Sequence, residues 1–402
     1  MRFVFASTTC SEKTYKEVFN SRTKQMIDPM QKFLLQIMRG VAADPDNTVE
    51  SISVKPVSHS CYNGKSVDYS SDNEKGISFK YVAFKNGQVS RFISTYLSVY
   101  NKTRDLLKEH NQTVVITDPL NPYISMPARR AAKKMGVKTI AIITDLPLFA
   151  SKMKQRKENI LKRILRNAFE GVSNNEAKKY DAYIFLTDSM NEVVNTKNRP
   201  CIVVEGTAVS PEISGIPCKH NNKRVFVYAG GVYEKYGVKR LVDAFCSAQL
   251  ENTVLHIYGD GTYVNELKNV CKNTSSVRYC GCVLNTELQA IESAADLLIN
   301  PRFSDEEYTK YSFPSKTLEY LSSGTAVLST KLKGIPKEYE PYLFWFDDES
   351  LKGMINKLCE INTMSDSALR EKGRSGQKFV LDKKNIIAQG RRITEFSRRV
   401  IE

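Results

Sequence analysis

The stretch from residue 296 to residue 335 constrains the fold of this chain most strongly. Its two apolar runs, 297–299 and 326–328, have the length of buried parallel strands. Between these runs, Pro314 stands where a first helical residue is favoured, and Gly324 stands where a helix ends. The segment is therefore predicted to form a strand, a loop, a short helix and a second strand.

The predicted start of this helix has the chemistry of a phosphate site. Pro314 has no N–H, so the free amides of the first turn come from Ser315, Lys316 and Thr317. These amides, the helix dipole and the Lys316 ammonium suit a diphosphate. Glu319 lies one turn beyond Ser315 on the same face, where its carboxylate can accept hydrogen bonds from a sugar diol. The pattern indicates a nucleotide site. An ordinary helix that starts with proline and binds no ligand has the same pattern, so that alternative stays open.

The stretch resembles the donor-site signature of the retaining glycosyltransferases of family 4. In that family, two glutamates eight positions apart flank a Gly-Phe-Gly turn. Glu319 matches the second glutamate and Phe313 matches the phenylalanine, whereas the first glutamate falls on Tyr311. The flanking glycines fall on Ser312 and Pro314. This Phe-Pro-Ser-Lys-Thr variant resembles the bacterial enzymes that assemble polysaccharides.

The resemblance implies an α/β protein of the GT-B fold, with two Rossmann-like domains whose parallel sheets face each other across a cleft. It covers residues 224–335 in motif and residues 1–205 in layout only. Because Tyr311 replaces the first glutamate, Glu306 or Glu307 is left open as the source of the family's contact to the donor sugar.

Length and composition predict the domain boundaries. A chain of 402 residues suits two domains of about 200 residues each. We expect an N-terminal acceptor-binding domain at 1–206, a polar linker at 207–222 that contains prolines, and a C-terminal nucleotide-sugar domain at 223–385. Family members commonly return their last helix to the first domain, so 386–402 is expected to pack there.

Apolar runs that alternate with helical periodicity indicate a parallel sheet wrapped by helices in each domain. Strands are predicted at 2–7, 49–57, 78–84, 113–117, 138–144, 182–187, 201–205, 225–229, 254–258 and 277–281. Helices are predicted around 28–43, 89–109, 121–135, 152–170, 287–295 and 391–401.

Glycine turns after two strands of the second half complete the predicted donor site. Gly230 and Gly231 let the backbone approach a ligand closely, and Gly259 matches a turn of the family. The family's arginine and lysine for the diphosphate fall on Gly231 and Tyr236, so the neighbouring Lys235 is the candidate cation. The predicted donor-binding residues are Gly230, Gly231, Gly259, Tyr311, Phe313, Pro314, Ser315, Thr317 and Glu319, and Lys316 and Lys235 are predicted to stabilise the leaving diphosphate.

Polar residues at strand ends predict the acceptor side. Thr8 follows the first strand, Asp118 follows the strand at 113–117, and Thr144 and Asp145 follow the strand at 138–144. In open α/β sheets these ends meet ligands, although an aspartate there can also serve only as a helix or turn cap. We predict that Asp145 contacts the acceptor hydroxyl as a catalytic residue and that Thr8, Asp118 and Thr144 bind the acceptor.

The positive charge is concentrated in the first half. Residues 1–200 hold 32 Lys and Arg against 19 Asp and Glu, a net charge of +13, whereas the remaining 202 residues hold 27 against 25. This half suits anionic lipid headgroups, a diphosphate-bearing acceptor or nucleic acid. Its basic stretch 152–169 also carries an apolar stripe, which suits either a helix on an anionic bilayer or a surface helix that packs on the sheet.

Other sequence features limit the expected cellular location and the expected cofactors. The nine scattered cysteines indicate reduced thiols in a cytoplasmic protein. No apolar run has the length of a transmembrane helix, and no secretory pattern is present. There is no Walker loop and no zinc cluster, and the resembled fold typically needs no metal. No metal or cofactor is therefore expected.

The function predicted from these features is sugar transfer. We expect a hexosyltransferase that moves a sugar from a nucleotide-sugar donor to a glycan or a polyprenyl-diphosphate-linked acceptor. The resemblance implies retention of configuration and a role in cell-surface polysaccharide biosynthesis. The protein is expected in the cytoplasm, with a peripheral position on the cytoplasmic membrane face left open. A nucleotide-sugar epimerase of the same fold is the alternative, and a nucleic-acid-binding protein is a weaker one.

Overall fold

The computed structural model describes residues 1–21, 29–57, 60–109, 111–146, 160–211 and 223–402. The chain forms two compact units. The first unit comprises Met1–Thr207 together with Ile386–Glu402, and the second comprises Ala208–Asn385. The predicted linker at 207–222 lies mostly outside the described residues.

The first unit is built on a parallel sheet. Its strands in chain order are β1 (Arg2–Ser7), β2 (Thr48–Ser53), β3 (Ser66–Val67), β4 (Ser70–Glu74), β5 (Ile77–Tyr81), β6 (Phe84–Lys85), β7 (Thr113–Thr117), β8 (Lys138–Ile143), β9 (Ala182–Phe185) and β10 (Cys201–Val203). The main sheet has the order β10-β9-β8-β7-β1-β2-β5-β4, and only β4 runs antiparallel to its neighbour. Strands β3 and β6 form a separate antiparallel pair.

Helices cover both faces of this sheet. Those of the first unit are α1 (Glu12–Ser21), α2 (Pro29–Ala42), α3 (Ser90–Leu106), α4 (Pro122–Lys134), α5 (Ile160–Ala177) and α6 (Ser189–Val194). Alternate residues of β1 enter different cores, since Phe3 and Phe5 pack in one cluster while Val4 and Ala6 pack in another. A sheet covered on both faces needs strands that are apolar throughout, which is why the sequence shows them as continuous runs.

The second unit repeats the plan with a parallel sheet of its own. Its strands are β11 (Arg224–Ala229), β12 (Thr253–Tyr258), β13 (Val277–Gly281), β14 (Leu297–Asn300), β15 (Val327–Thr330) and β16 (Phe344–Phe346). Their order is β13-β12-β11-β14-β15-β16. The helices are α7 (Val238–Ala248), α8 (Val264–Asn273), α9 (Asn285–Ala294), α10 (Lys316–Ser322), α11 (Leu351–Thr363) and α12 (Asp366–Lys383), with short 3-10 turns at Glu234–Tyr236, Glu307–Tyr311 and Lys337–Tyr342.

The last helix, α13 (Ile386–Ile401), belongs to the first unit and packs against α2. Ile393 and Phe396 enter the same core as Phe3 and Phe5. The two helices cross at Gly40 and Gly390, where a Cβ on either glycine would overlap the backbone of the facing helix. Only residues without a side chain allow backbones to approach this closely.

The prediction of two parallel-sheet α/β domains is confirmed, but several details differ. Strands β3, β4, β6 and β16 were not predicted, because β4 is a polar run at the sheet edge and the other three are only two or three residues long. Helix α10 begins at Lys316, two residues later than the position of Pro314 implied. The basic residues 152–159 lie outside the described residues, and α5 runs from Ile160 to Ala177.

Candidate functional site

The sheet of the second unit reverses its order between β11 and β14. From β11 the chain adds β12 and β13 on one side, and it then returns to add β14, β15 and β16 on the other. In open parallel sheets, ligands bind beyond the carboxyl ends of the strands at such a reversal. The turn Gly230–Gly231 follows β11, and Arg302 lies two residues after β14. The sheet topology therefore indicates a ligand site beside these turns.

Glycines bring the turns at this edge into direct contact. Gly259 has φ of +126°, and a Cβ there would overlap the carbonyl oxygen of Gly230. The Gly230 amide donates to the Tyr258 carbonyl at 3.0 Å, and the Gly259 amide donates to the Gly281 carbonyl at 2.8 Å. Gly259 thus has a packing role, whereas Gly231 faces the rings of Tyr233 and Tyr236.

Two cations flank the tyrosines of the β11 turn. The Lys235 Nζ lies 5.3 Å from the ring centroid of Tyr236, and the Arg302 guanidinium lies 4.8 Å from the same ring. The position of the family's arginine is Gly231 in this chain, and Arg302 reaches Tyr236 from the loop after β14. Sequence analysis missed Arg302, although its position directly after a strand and a proline was visible.

The helix that carries the sequence signature offers fewer free amides than predicted. The Thr317 amide donates to the Pro314 carbonyl at 2.8 Å, because Pro314 precedes the helix instead of opening it. Among the described residues, no backbone carbonyl accepts from the amides of Ser315 and Lys316. The side chain of Phe313 is buried in the hydrophobic core of the second unit, so it anchors the segment that precedes α10.

Lys316 is shared by two carboxylates. Its Nζ lies 3.1 Å from Glu292 Oε1 and 2.9 Å from Glu319 Oε1. Glu292, on α9, is 0% exposed, and its Oε2 has no hydrogen-bond partner within the described part of the chain. Burial raises the pKa of Glu292 to about 7, while Lys316 opposes the shift and Glu319 adds to it.

Glu292 was not predicted, because nothing in its local sequence distinguishes it from a surface glutamate of an amphipathic helix. The structure shows that the Lys316 ammonium, predicted to meet a diphosphate, is paired with two carboxylates. The two glutamates left open as replacements for the first family glutamate, Glu306 and Glu307, are exposed, and Tyr311 is partly buried at the end of the 3-10 turn. His256 is buried within β12.

The sheet of the first unit also reverses its order, between β1 and β7. Thr8 follows β1 and Asp118 follows β7, while Thr144 and Asp145 follow the adjacent β8. These strands are parallel and hydrogen-bonded in register, so all four predicted acceptor residues lie at the same sheet edge.

Asp118 is the buried member of this group. Its Oδ1 accepts the Leu120 amide at 2.9 Å, and only 4% of the residue is exposed. Burial raises the pKa of Asp118 to about 7, and the charge of Asp145 contributes to the shift. Asp145 is exposed, and Thr144 Oγ1 is buried with no hydrogen-bond partner in the described residues.

An apolar groove of about 450 Å³ lies between α3, α4 and α5 of the first unit. It begins at Pro122 and Tyr123, in the first turn of the helix that follows Asp118. The side chains that line it are Phe92, Ile93, Tyr96, Leu97, Pro122, Tyr123, Met126, Phe169 and Val172.

The apolar stripe of α5 continues outside this groove. Ile164 is 57% exposed and Leu165 is 62% exposed, so neither side chain packs on the sheet. Arg163 is exposed beside them, and Arg130 at the groove donates to the Tyr96 hydroxyl at 2.7 Å. These side chains form an exposed apolar surface with basic neighbours. Contiguous apolar surface of this kind marks interaction sites in folded proteins.

Within the described residues, no cluster of three or more His, Cys, Asp or Glu side chains is arranged to hold a metal ion. None of the helices in the same residues has the length and apolar character that crossing a membrane requires.

The sequence of the second unit matches a known protein family. Residues 223–361 match the family model described as glycosyl transferases group 1. By this match, the chain carries a glycosyltransferase domain. No curated protein sequence matches it.

Solved glycosyltransferase structures of the GT-B type share the fold of this chain over its whole length. Sucrose-phosphate synthase from Thermosynechococcus elongatus has a TM-score of 0.65 at 11% identity and covers 100% of this chain and 99% of its own. Anabaena Alr3699/HepE, solved in complex with UDP, has a TM-score of 0.59 at 13% identity, with 98% and 99% covered. WaaG, a glycosyltransferase involved in lipopolysaccharide biosynthesis, has a TM-score of 0.57 at 16% identity, again with 98% and 99% covered.

Proposed function

We propose that this glycosyltransferase transfers a hexosyl group from a nucleotide sugar to a glycan or a polyprenyl-diphosphate-linked acceptor in cell-surface polysaccharide biosynthesis. The second unit would bind the donor and the first unit would bind the acceptor. Retention of anomeric configuration follows from the family resemblance of the signature around Glu319. The involvement of WaaG in lipopolysaccharide biosynthesis supports the pathway by analogy.

The observation that carries the donor assignment is the convergence of cations at the sheet reversal of the second unit. Lys235 and Arg302 lie against the Tyr236 ring, beside a turn whose glycines leave the backbone accessible. Diphosphates bind where backbone amides and cations meet at strand ends. The UDP bound to HepE makes UDP-sugars the first donors to test.

The transition state of sugar transfer resembles an oxocarbenium ion that separates from a departing diphosphate. Stabilising the charge on the leaving diphosphate is therefore the main catalytic task. Lys316 and Lys235 keep the roles predicted for them, and we add Arg302 because it approaches Tyr236 from the neighbouring strand. Glu319 would hold the ribose diol.

The acceptor assignment rests on the sheet edge of the first unit. Asp145 would contact the reacting hydroxyl, while Thr8, Asp118 and Thr144 would bind neighbouring groups of the acceptor. The pKa of Asp118 near 7 allows this carboxyl to donate a hydrogen bond as well as to accept one at neutral pH.

A lipid-linked acceptor accounts for the exposed apolar surface of the same unit. The groove between α3, α4 and α5 includes Pro122, four residues after Asp118, and the exposed side chains of Ile164 and Leu165 belong to α5, one of the helices that line it. Basic residues around apolar side chains are typical of segments that lie on anionic bilayers. We propose that the protein binds peripherally to the cytoplasmic membrane face through this surface.

A panel of radiolabelled UDP-, GDP-, dTDP- and ADP-sugars tests the function. Transfer to a glycan or lipid acceptor, or slow donor hydrolysis with release of the nucleoside diphosphate, supports it. An isomerised sugar would assign the chain to the epimerases, and absence of both binding and turnover across the panel would overturn the donor assignment.

Variants locate the donor chemistry once a donor is found. Glu319→Gln should lower kcat/KM about tenfold to a hundredfold, the loss expected for a charge-assisted hydrogen bond, without changing the Tm. Glu371→Gln, an exposed residue of α12, is the matched control. Lys235→Ala and Arg302→Ala should each weaken binding of the nucleoside diphosphate in titration calorimetry, and unchanged affinity would remove that residue from the site.

A further inference from the structure

A buried carboxylate outside the sequence signature contacts the one lysine within it. Glu292 lies on α9, and Lys316 opens α10, yet the Lys316 Nζ is 3.1 Å from Glu292 Oε1. Glu319, one turn further along α10, binds the same ammonium at 2.9 Å. Lys316 and Glu319 are partly exposed, with 27% and 29% of their side chains accessible, whereas Glu292 is inaccessible.

The charge balance of these three groups opposes a diphosphate. With both carboxylates ionised, the cluster of Lys316, Glu292 and Glu319 carries a net charge of −1. This charge repels an incoming diphosphate. If Glu292 is neutral, Lys316 is paired with Glu319 alone. Because the ribose would then engage Glu319, the ammonium becomes available to the diphosphate.

Glu292 has an oxygen that is suited to take up a proton. Its Oε1 accepts from Lys316, while Oε2 is buried and makes no hydrogen bond among the described residues. The ionisable groups that act on it there are Lys316, Glu319 and Tyr320, all on α10. An ionised oxygen in such a position has neither water nor a donor to stabilise it, so protonation costs little.

We infer that Glu292 is a positioning residue of the donor site, which holds Lys316 beside Glu319 and takes up a proton from solvent on Oε2 when a diphosphate binds. This inference rests on the proposed donor function of the second unit. The pKa of Glu292 near 7 agrees with a carboxyl that changes its protonation state in the physiological range. Donor affinity is then linked to pH, and it decreases as the pH rises above neutrality.

The probe is UDP-glucose, whose two phosphates are both esterified and therefore keep the same charge across the range. Titration calorimetry from about pH 6 to about pH 8.5 should show the wild-type Kd rising about tenfold for each pH unit above neutrality, the slope for one linked proton. In two buffers of different ionisation enthalpy, binding at the upper end should take up close to one proton.

The variant that isolates the effect is Glu292→Gln, which keeps the shape of the side chain and stays neutral. Its Kd for UDP-glucose should be independent of pH, and at the upper end it should bind about tenfold or more tighter than the wild type. Glu287→Gln, on the exposed first turn of the same helix, should keep the wild-type slope.

Two outcomes overturn the inference, and they differ from failure of the proposed function. A wild-type Kd that is constant with pH, or a Glu292→Gln variant with the wild-type slope, would make Glu292 a structural ion-pair partner only. A change in Tm without a change in slope would lead to the same conclusion. If no nucleotide sugar binds at any pH, the donor function itself fails, and the inference fails with it.

Discussion

The hydroxyl of Tyr320 forms two hydrogen bonds with the backbone of Ala229. It accepts from the Ala229 amide at 2.8 Å and donates to the Ala229 carbonyl at 3.0 Å. Tyr320 belongs to the signature helix α10, and Ala229 is the last residue of β11, directly before the Gly230–Gly231 turn. One buried side chain therefore connects the two chain segments that form the candidate donor site.

The first prediction concerns this connection. Tyr320→Phe leaves both the amide and the carbonyl of Ala229 buried without their partner, so the free energy of unfolding should fall by about 2 to 4 kcal/mol. Urea denaturation measures this loss. Tyr342→Phe in the same unit, whose ring stacks on Phe379, is the control and should change stability by well under half of that amount. Equal effects would show that the two hydrogen bonds contribute little.

The second prediction separates two reasons why replacing a glycine lowers stability, the close packing of its neighbours and its positive φ. Gly259→Ala must move the backbone of the β11 turn and also adopt φ of +126°, so we expect a loss of about 3 kcal/mol or more, together with weaker donor binding. Gly281 has φ of +75° with open space around it, so Gly281→Ala should cost only about 1 to 2 kcal/mol. Thermal unfolding of both variants tests the order.

The third prediction concerns pH and Asp118. The pKa of this carboxyl is raised from 3.8 to about 7, so its ionisation destabilises the folded state, and stability is lost as pH rises from about 4 to about 7. Asp118→Asn should match the wild type near pH 4 and exceed its free energy of unfolding near pH 8, by at most about 4 kcal/mol. Denaturant unfolding at both pH values measures the difference.

Asp145→Asn provides the comparison for this experiment, because Asp145 is exposed at the end of the neighbouring strand. Its stability should follow the wild-type pH dependence closely. If Asp118→Asn shows the same dependence as the wild type, the buried carboxyl is not the group that titrates. Loss of transfer activity in either variant, without loss of stability, would support the acceptor assignment.

The fourth prediction concerns the exposed apolar stripe of α5. Wild-type protein should co-sediment with vesicles that contain anionic phospholipid at low salt. Ile164→Glu combined with Leu165→Glu should weaken this binding more than tenfold, because burying one such side chain contributes about 1.5 to 3 kcal/mol. Leu284→Glu, at a side chain of the second unit that is 75% exposed, is the control and should bind as the wild type does.

Failure of the wild-type protein to bind these vesicles would contradict the membrane proposal directly. Full binding by the double variant would also contradict it. Hydrolysis of the donor in solution should persist in the double variant, because the residues assigned to the donor lie in the second unit.

The sequence alone was sufficient for the architecture. Strands buried on both faces must be apolar throughout, so β1, β7, β8 and β11 were visible as runs within a residue or two of their observed bounds. The alternation of such runs with helical periodicity predicted two parallel sheets, which the structure confirms. The polar edge strand β4 has no such pattern, because its pairing depends on β5 and not on burial.

The order of the strands was not visible in the sequence, and it is this order that locates the candidate sites. The reversals between β1 and β7 and between β11 and β14 bring Thr8 near Asp118 and the Gly230 turn near Arg302. Local sequence carries no information on which strand becomes a neighbour, since that choice depends on how helices cover the whole sheet.

The signature around Lys316 and Glu319 could be recognised in the sequence because both residues lie within one turn of a single helix. The role of Glu292 was not, because it lies 24 residues before Lys316 on another helix. Periodicity predicts which face of a helix is buried, but it does not identify the residue that this face meets. Only tertiary packing could place a buried carboxylate against the signature lysine, and the same packing removed the water that would otherwise keep that carboxylate ionised.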